Sequence, residues 1–370
     1  MRRNEDAIST KDDNIKNKNK KQSMSIPAKR WTKKYPPKRI LAIRLQAIGD
    51  VVITLPYLQA LKKALPETRL DLLTRKEVEA IPRNIYLFDN IYSIGGGRNF
   101  KKQFALTCFM LPQFFLQRYD VVLDLQNTLI SRLVRKIAMP RAWSEFDKVS
   151  KIAAGERTRL TIEAAGFENI HACYSFSIKS HLVVDDLLKQ NGWDETNNLV
   201  VLNPAGAFET RNWPLENYVC FMQLWLNTFP QTQFLILGTD LIKNKAACLT
   251  EKLGNKLIDL TCKTTPAQAF AIIQKVKFIL SEDSGLMHMA WVSGIPALAL
   301  FGSTRSYWST PLGEHTLLLD SSDLPCGNCM LEKCLYGDTH CLTRYTPEFV
   351  FKNSLSLIAN EKPNEIIRSN

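Results

Sequence analysis

The sequence predicts an α/β protein made of two doubly wound halves that face a central cleft. Three observations predict it. Short apolar runs of strand length recur along the chain, separated by longer segments of helical pattern. The runs are continuously apolar rather than alternating, as strands covered on both faces require. The series occurs twice, from Arg39 to Ala138 and again from Leu199 to Leu300, with a more polar stretch over 140–195 between them. A length of 370 residues fits two domains.

The first series opens with Arg39–Arg44 as a strand, a turn at Gly49-Asp50, and a helical pattern over Val51–Leu65. Leu70–Leu73 then reads as a strand, Phe100–Gln117 as a helix, Val121–Leu125 as a strand and Leu129–Ala138 as a helix. The second series has strands at 199–203, 234–237, 257–258, 278–280 and 297–300. Helices at 214–228, 241–253, 266–275 and 285–293 alternate with them. The expected units are a disordered basic arm over 1–37, a first domain over 38–180, a second over 181–345, and a terminal helix and tail over 346–370.

The charge is uneven. The chain carries 48 Lys+Arg against 36 Asp+Glu, a net +12, and residues 1–39 hold thirteen of the bases and four of the acids, a net +9. The basicity thus belongs mainly to the arm, and the remainder is close to neutral. With only Trp31 and Tyr35 available for stacking there, no nucleic-acid role is expected. The most apolar stretch, Phe104–Leu116, is too short to span a bilayer. The N-terminus has no apolar signal core, so a cytoplasmic protein is expected. Nine cysteines, an odd number, fit a reducing compartment better than a disulfide scaffold.

Candidate chemistry clusters after strands. Asp50 follows the first strand at a helix start. As a helix cap it would only satisfy free N–H groups; as a carboxylate aimed into the cleft it could serve as a general base. Ser284 and Gly285, within Asp283-Ser284-Gly285-Leu286-Met287-His288, open a helix whose N–H groups suit a phosphate. His288 lies on that first turn. Gly206 and Arg211 lie in the loop after strand 199–203, before Trp213-Pro214, where a guanidinium can grip a diphosphate. Asp240 follows strand 234–237, where an acid can accept from ribose hydroxyls or cap a helix. There is no D-x-D triplet and no P-loop. Cys326, Cys329, Cys334 and Cys341 crowd one short loop, 326–341. The C-x2-C spacing suits a structural zinc; reduced thiols or two disulfides are the other readings.

Together these motifs resemble glycosyltransferase family 9, the ADP-heptose:lipopolysaccharide heptosyltransferases. The resemblance rests on Arg44-x4-Gly49-Asp50-Val51-x2-Thr54-Leu55-Pro56, Arg211-x-Trp213-Pro214, Asp283-Ser284-Gly285-x2-His288 and Phe301-Gly302-Ser303-Thr304, in that order. It implies a GT-B fold, with the acceptor on the first domain and the nucleotide sugar on the second. It implies inverting transfer that needs no cofactor or catalytic metal. On the matched positions, Asp50 would be the base and Arg211 the cation on the leaving diphosphate. Asp283, Ser284, Gly285, Leu286, His288, Asp240 and Gly206 would hold the donor. The implied partners are ADP-heptose and a lipid A-core acceptor, with peripheral contact at the inner face of the inner membrane aided by the basic arm. Three departures bear on the donor sugar. Arg211 stands where Lys is usual and Cys262 where Gly is usual, and the Asp common after Thr304 is missing. A different nucleotide sugar, or a non-catalytic nucleotide- or glycan-binding protein, are the alternatives.

Overall fold

The computed structural model describes residues 26–179 and 182–359. Two six-stranded sheets organise the chain. The first contains β1 (Ala28–Lys29), β2 (Arg39–Ile43), β3 (Arg69–Arg75), β4 (Asn90–Ile94), β5 (Val121–Asp124) and β6 (Ala142–Glu145), in the order β1-β6-β5-β2-β3-β4. The second contains β7 (Asn198–Asn203), β8 (Thr232–Ile236), β9 (Leu257–Asp259), β10 (Phe278–Glu282), β11 (Ala297–Leu300) and β12 (Thr316–Leu319), in the order β12-β11-β10-β7-β8-β9. Every pairing is parallel except that of β1 with β6.

The central strands are those with the most continuous apolar runs. Ile40–Ile43, Val200–Leu202 and Phe278–Leu280 are buried throughout. Each buried Leu or Ile of this kind contributes about 1.5–3 kcal/mol through removal from water. Strand order reverses between β2 and β5 and again between β7 and β10. Such switch points open a crevice at the strands' carboxyl ends. One apolar core is shared by both halves: Leu55, Tyr57 and Ala154 of the first pack in the same cluster as Phe270 and Trp291 of the second. The helix Ile48–Ala64 packs directly on the helix Gly285–Val292.

The structure corrects the expected arm. Residues 26–37 are built into the first half. The Pro27 carbonyl accepts from Glu145 N at 2.9 Å, β1 pairs with β6, and Trp31 N donates to the Ala165 carbonyl at 2.8 Å. Residues 1–25 of that arm lie outside the described residues. The terminal helix, Pro347–Ile358, packs on the second half, where Val350 and Leu357 meet Phe221 and Trp225. Among the described residues no helix is long and apolar enough to cross a membrane.

Candidate active site

The first switch point carries Arg44 and Asp50. Arg44 follows β2 directly, and the loop after it is held from β5's side: Gln126 Oε1 accepts from Leu45 N at 2.8 Å and from Gln46 N at 3.1 Å. Asp50 is the third residue of its helix rather than its cap. Its Oδ2 accepts from Ala47 N at 2.9 Å, and its Oδ1 pairs with Arg44 Nη2 at 2.9 Å. Arg44 is buried; burial pulls its guanidinium below the usual arginine value, and Asp50 opposes that shift. The Arg44 guanidinium also donates to the Leu125 carbonyl and lies 4.8 Å from the Phe146 ring centre. Arg157 stacks on the same ring at 5.0 Å, donates to the Asp147 carbonyl at 3.1 Å, and reaches Trp308 O of the second half at 3.4 Å. Asp50 therefore sits half-exposed beside two buried cations.

The second switch point carries Asn203, Ser281 and Glu282. Asn203 Nδ2 donates to Ser281 Oγ at 2.7 Å and also to Ser284 Oγ. Glu282 is fully buried. It accepts from Gly206 N and from Trp213 N at 2.7 Å, with Tyr218 Oη at 3.2 Å. Burial pushes its carboxyl up to about 7, against the opposing pull of Lys245. Lys245 in turn donates to the Pro204 carbonyl at 2.8 Å and to Asn212 Oδ1. The pair clamps both ends of the loop 204–213, which presents Arg211. Gly206 is required there by close approach: a Cβ on it would lie 2.3 Å from the Arg211 carbonyl oxygen.

Arg211 Nη1 lies 3.7 Å from Asp283 Oδ2, and its guanidinium rests on the Phe208 ring at 4.9 Å. Ser284 precedes the helix Gly285–Val292. His288 is buried on that helix's first turn, and burial lowers its imidazole below the usual histidine value, opposed by Asp283 and Asp50. The halves touch here: a Cβ on Gly49 would lie 2.9 Å from His288 Cδ2, and one on Gly285 would lie 3.7 Å from Ile48 Cγ2. Asp50, His288, Asp283, Arg211, Ser284, Gly285 and Gly206 are thus brought together. Leu286 packs half-buried against the shared core. Asp240 is exposed at the start of the short turn Asp240–Ile242.

The arrangement fits a polyanion. His288 Nδ1, Arg211 Nε and Thr304 Oγ1 are buried here without a hydrogen-bond partner among the described residues, as are atoms elsewhere in the chain. As donors, these three would be satisfied by the oxygens of an anion.

The four loop cysteines line one recess together with Thr210 and His340. Cys326 and Cys329 are exposed, and burial among the other thiols pushes Cys341 up to about 11. Among the described residues no three His, Cys, Asp or Glu side chains are grouped as a metal ion requires. What the loop does is brace the site: Thr210 Oγ1 donates to the Leu331 carbonyl, and Met330 N donates to Ser303 O at 2.9 Å.

Comparison with known proteins decides the family. The model of glycosyltransferase family 9 (heptosyltransferase) matches residues 113–340. The chain belongs to glycosyltransferase family 9. It is therefore a glycosyltransferase. Lipopolysaccharide heptosyltransferase 1 of Campylobacter coli is 23% identical over 297 residues, covering 73% of this chain and 85% of that one. The solved family 9 glycosyl transferase of Veillonella parvula superposes with a TM-score of 0.73 at 17% identity, covering 87% of this chain and 97% of that one. The Escherichia coli ADP-heptose lps heptosyltransferase II gives 0.67 at 17% identity, covering 87% and 99%. These likenesses bear out the GT-B fold.

Arg44, Glu282 and Arg157 were given no role from sequence. Arg44 stands inside the first motif, and Glu282 ends an otherwise apolar strand, which is the signal that marks it. Arg157 carries no local signal, because its helix, Ala154–Ala164, shows no clear apolar stripe.

Proposed function

We propose that this glycosyltransferase moves heptose from ADP-heptose to a lipid-linked lipopolysaccharide core acceptor, with inversion and without a metal. The observation that carries the reading is the contact of Gly49 with His288, which sets the Asp50 carboxylate against the opening turn of the Gly285–Val292 helix. The names of the relatives support the donor and acceptor classes.

In this reading the acceptor hydroxyl loses its proton to Asp50 as its oxygen attacks the anomeric carbon. The bond to the β-phosphate oxygen breaks on the opposite face, and its electron pair leaves with ADP. Attack builds positive charge on the sugar and negative charge on the diphosphate. Arg211 and the N–H groups after Ser284 are fixed in advance where that negative charge develops, a role that a metal ion would otherwise take. Arg44 orients the Asp50 carboxylate through their ion pair. A lipid-linked acceptor puts the reaction at a membrane surface.

The test is ADP release from ADP-heptose with a truncated core acceptor, with and without chelator. Release should occur and should not fall with chelator. Asp50→Asn should lower turnover about 10²- to 10⁴-fold, with donor affinity by calorimetry nearly unchanged. No ADP release while acceptor binding is intact would rule out heptose transfer. A thermal-shift panel of nucleotide sugars would then identify the donor.

A further inference from the structure

The helix Phe100–Gln117 is covered on one side only. Thr107 and Phe114 are buried, and Met110 and Leu111 pack on the core of the first sheet. On the rest of its surface Phe109 is 87% exposed and Leu116 74%, with Phe100, Phe104 and Phe115 exposed beside them. An outward helix face that leaves this many large apolar side chains exposed marks an interaction surface.

Its charge says what covers it. The helix contains no Asp or Glu. Arg98, Lys101 and Lys102 are exposed at its start and Arg118 just past its end. Beside Leu116 lies a shallow recess lined by Tyr35, Lys38, Arg39, Arg118 and Arg141. One acid, Asp120, shares that recess, and it is engaged by Lys38 N at 2.8 Å and by Arg141 at 3.7 Å. Lys38 and Arg39 of that recess belong to a segment, 26–39, that holds six Lys or Arg and no acid. Both ends of the strip are therefore basic. A second copy docked on it would set like charges against each other at each end. An anionic lipid surface meets the apolar strip and the basic ends together.

We propose that this helix is an in-plane membrane anchor. Its apolar strip seats in the interface of an anionic phospholipid bilayer, and the basic residues at both ends contact headgroup phosphates. The anchor is tied to the site. Arg75 donates both to the Gly97 carbonyl, just before the helix, and to Gln46 Oε1, in the loop that leads to Asp50. Gln103, on the first turn, also donates to the Gly97 carbonyl. Docking thus holds the Asp50 loop near the surface from which a lipid-linked acceptor extends. That last link rests on the proposed function; the docking does not.

The test is flotation of the full chain with phosphatidylcholine vesicles, with and without phosphatidylglycerol, and without donor or acceptor. The protein should float with the anionic vesicles and much less with the neutral ones. Phe109→Ser with Leu116→Ser should lower partitioning at least about tenfold with the melting temperature unchanged. Lys101→Glu with Lys102→Glu should remove the preference for anionic lipid. A chain lacking residues 1–25 should still float. The proposal is overturned if the wild type stays unbound, if the Phe109/Leu116 variant floats like wild type, or if loss of residues 1–25 alone abolishes binding. It is also overturned if light scattering shows a dimer that the Phe109/Leu116 variant loses while its lipid partitioning is unchanged; the strip then belongs to a second copy. None of these outcomes touches the heptose-transfer assay.

Discussion

Glu282 and Cys262 show what single residues contribute here. Glu282 holds the loop that presents Arg211, and burial pushes its carboxyl from the ordinary 4.5 up to about 7. The folded chain therefore keeps this proton at pH values where the unfolded chain has lost it. The resulting stability is fully present below about pH 4.5 and is lost as pH rises through about 7. Glu282→Gln removes that titration and leaves the Gly206 N–H unpaired, at a cost of about 1–3 kcal/mol. The stability gap to wild type, read by thermal melts, should be widest in acid and should narrow toward pH 8. A gap that does not change with pH would mean that folding leaves the Glu282 carboxyl unshifted. Cys262 is exposed at φ 59°, with its N–H donating to the Gly238 carbonyl at 2.8 Å. That left-handed backbone is why glycine is usual at this place in the resembling family. Cys262→Gly should raise stability in urea by up to about 1 kcal/mol, the relief of left-handed strain less the added entropy of the unfolded chain. A loss would point to a role for the thiol itself.

At the scale of elements, the site is two helix starts pressed together across two sheets. The opening turns of Ile48–Ala64 and Gly285–Val292 meet because Gly49 has no side chain to hold them apart. Gly49→Ala improves helix propensity by about 1 kcal/mol but puts a methyl group against His288. Melting temperature should hold or fall, as the clash offsets the gain in propensity, while kcat/KM falls about ten- to a hundredfold through misplaced groups. Unchanged kcat/KM would show that the halves do not close on this contact during turnover. The central strands and their helices were legible in the sequence because each is buried on both faces and so reads as an unbroken apolar run. β1, β4, β6 and β12 were not. β4 and β6 mix polar with apolar residues, such as Asn90, Ser93 and Ser144; β1 is two exposed residues and β12 a short edge strand. The catalytic candidates were legible because chemistry at strand ends needs particular residue types in a particular order. The clamp of Glu282 with Lys245 on the Arg211 loop depends on contacts between distant segments, which no local pattern records.

For the whole molecule, the +12 charge divides differently from the way the sequence suggests. Residues 1–25 hold seven bases and four acids, whereas 26–39 hold six bases and no acid. The denser positive segment is thus part of the first half, fixed beside the apolar helix Phe100–Gln117, and not part of a free arm. A consequence follows for stability. Removing residues 1–25 leaves every described contact in place, and the melting temperature of that chain is the reference for a longer truncation. Removing residues 1–36 also deletes β1 and the Trp31–Ala165 hydrogen bond. It takes away the Arg30–Glu168 ion pair at 2.6 Å and uncovers Gly166, whose Cα lies so near the Trp31 backbone that a Cβ there would come within 2.9 Å of its carbonyl oxygen. The exposed ion pair adds little. The hydrogen bond and the partly buried indole together are worth about 2 kcal/mol, a fall of several degrees in melting temperature for a domain of this size. Equal melting temperatures for the two truncations would mean that the 26–37 segment only rests on the first half and does not help to hold it.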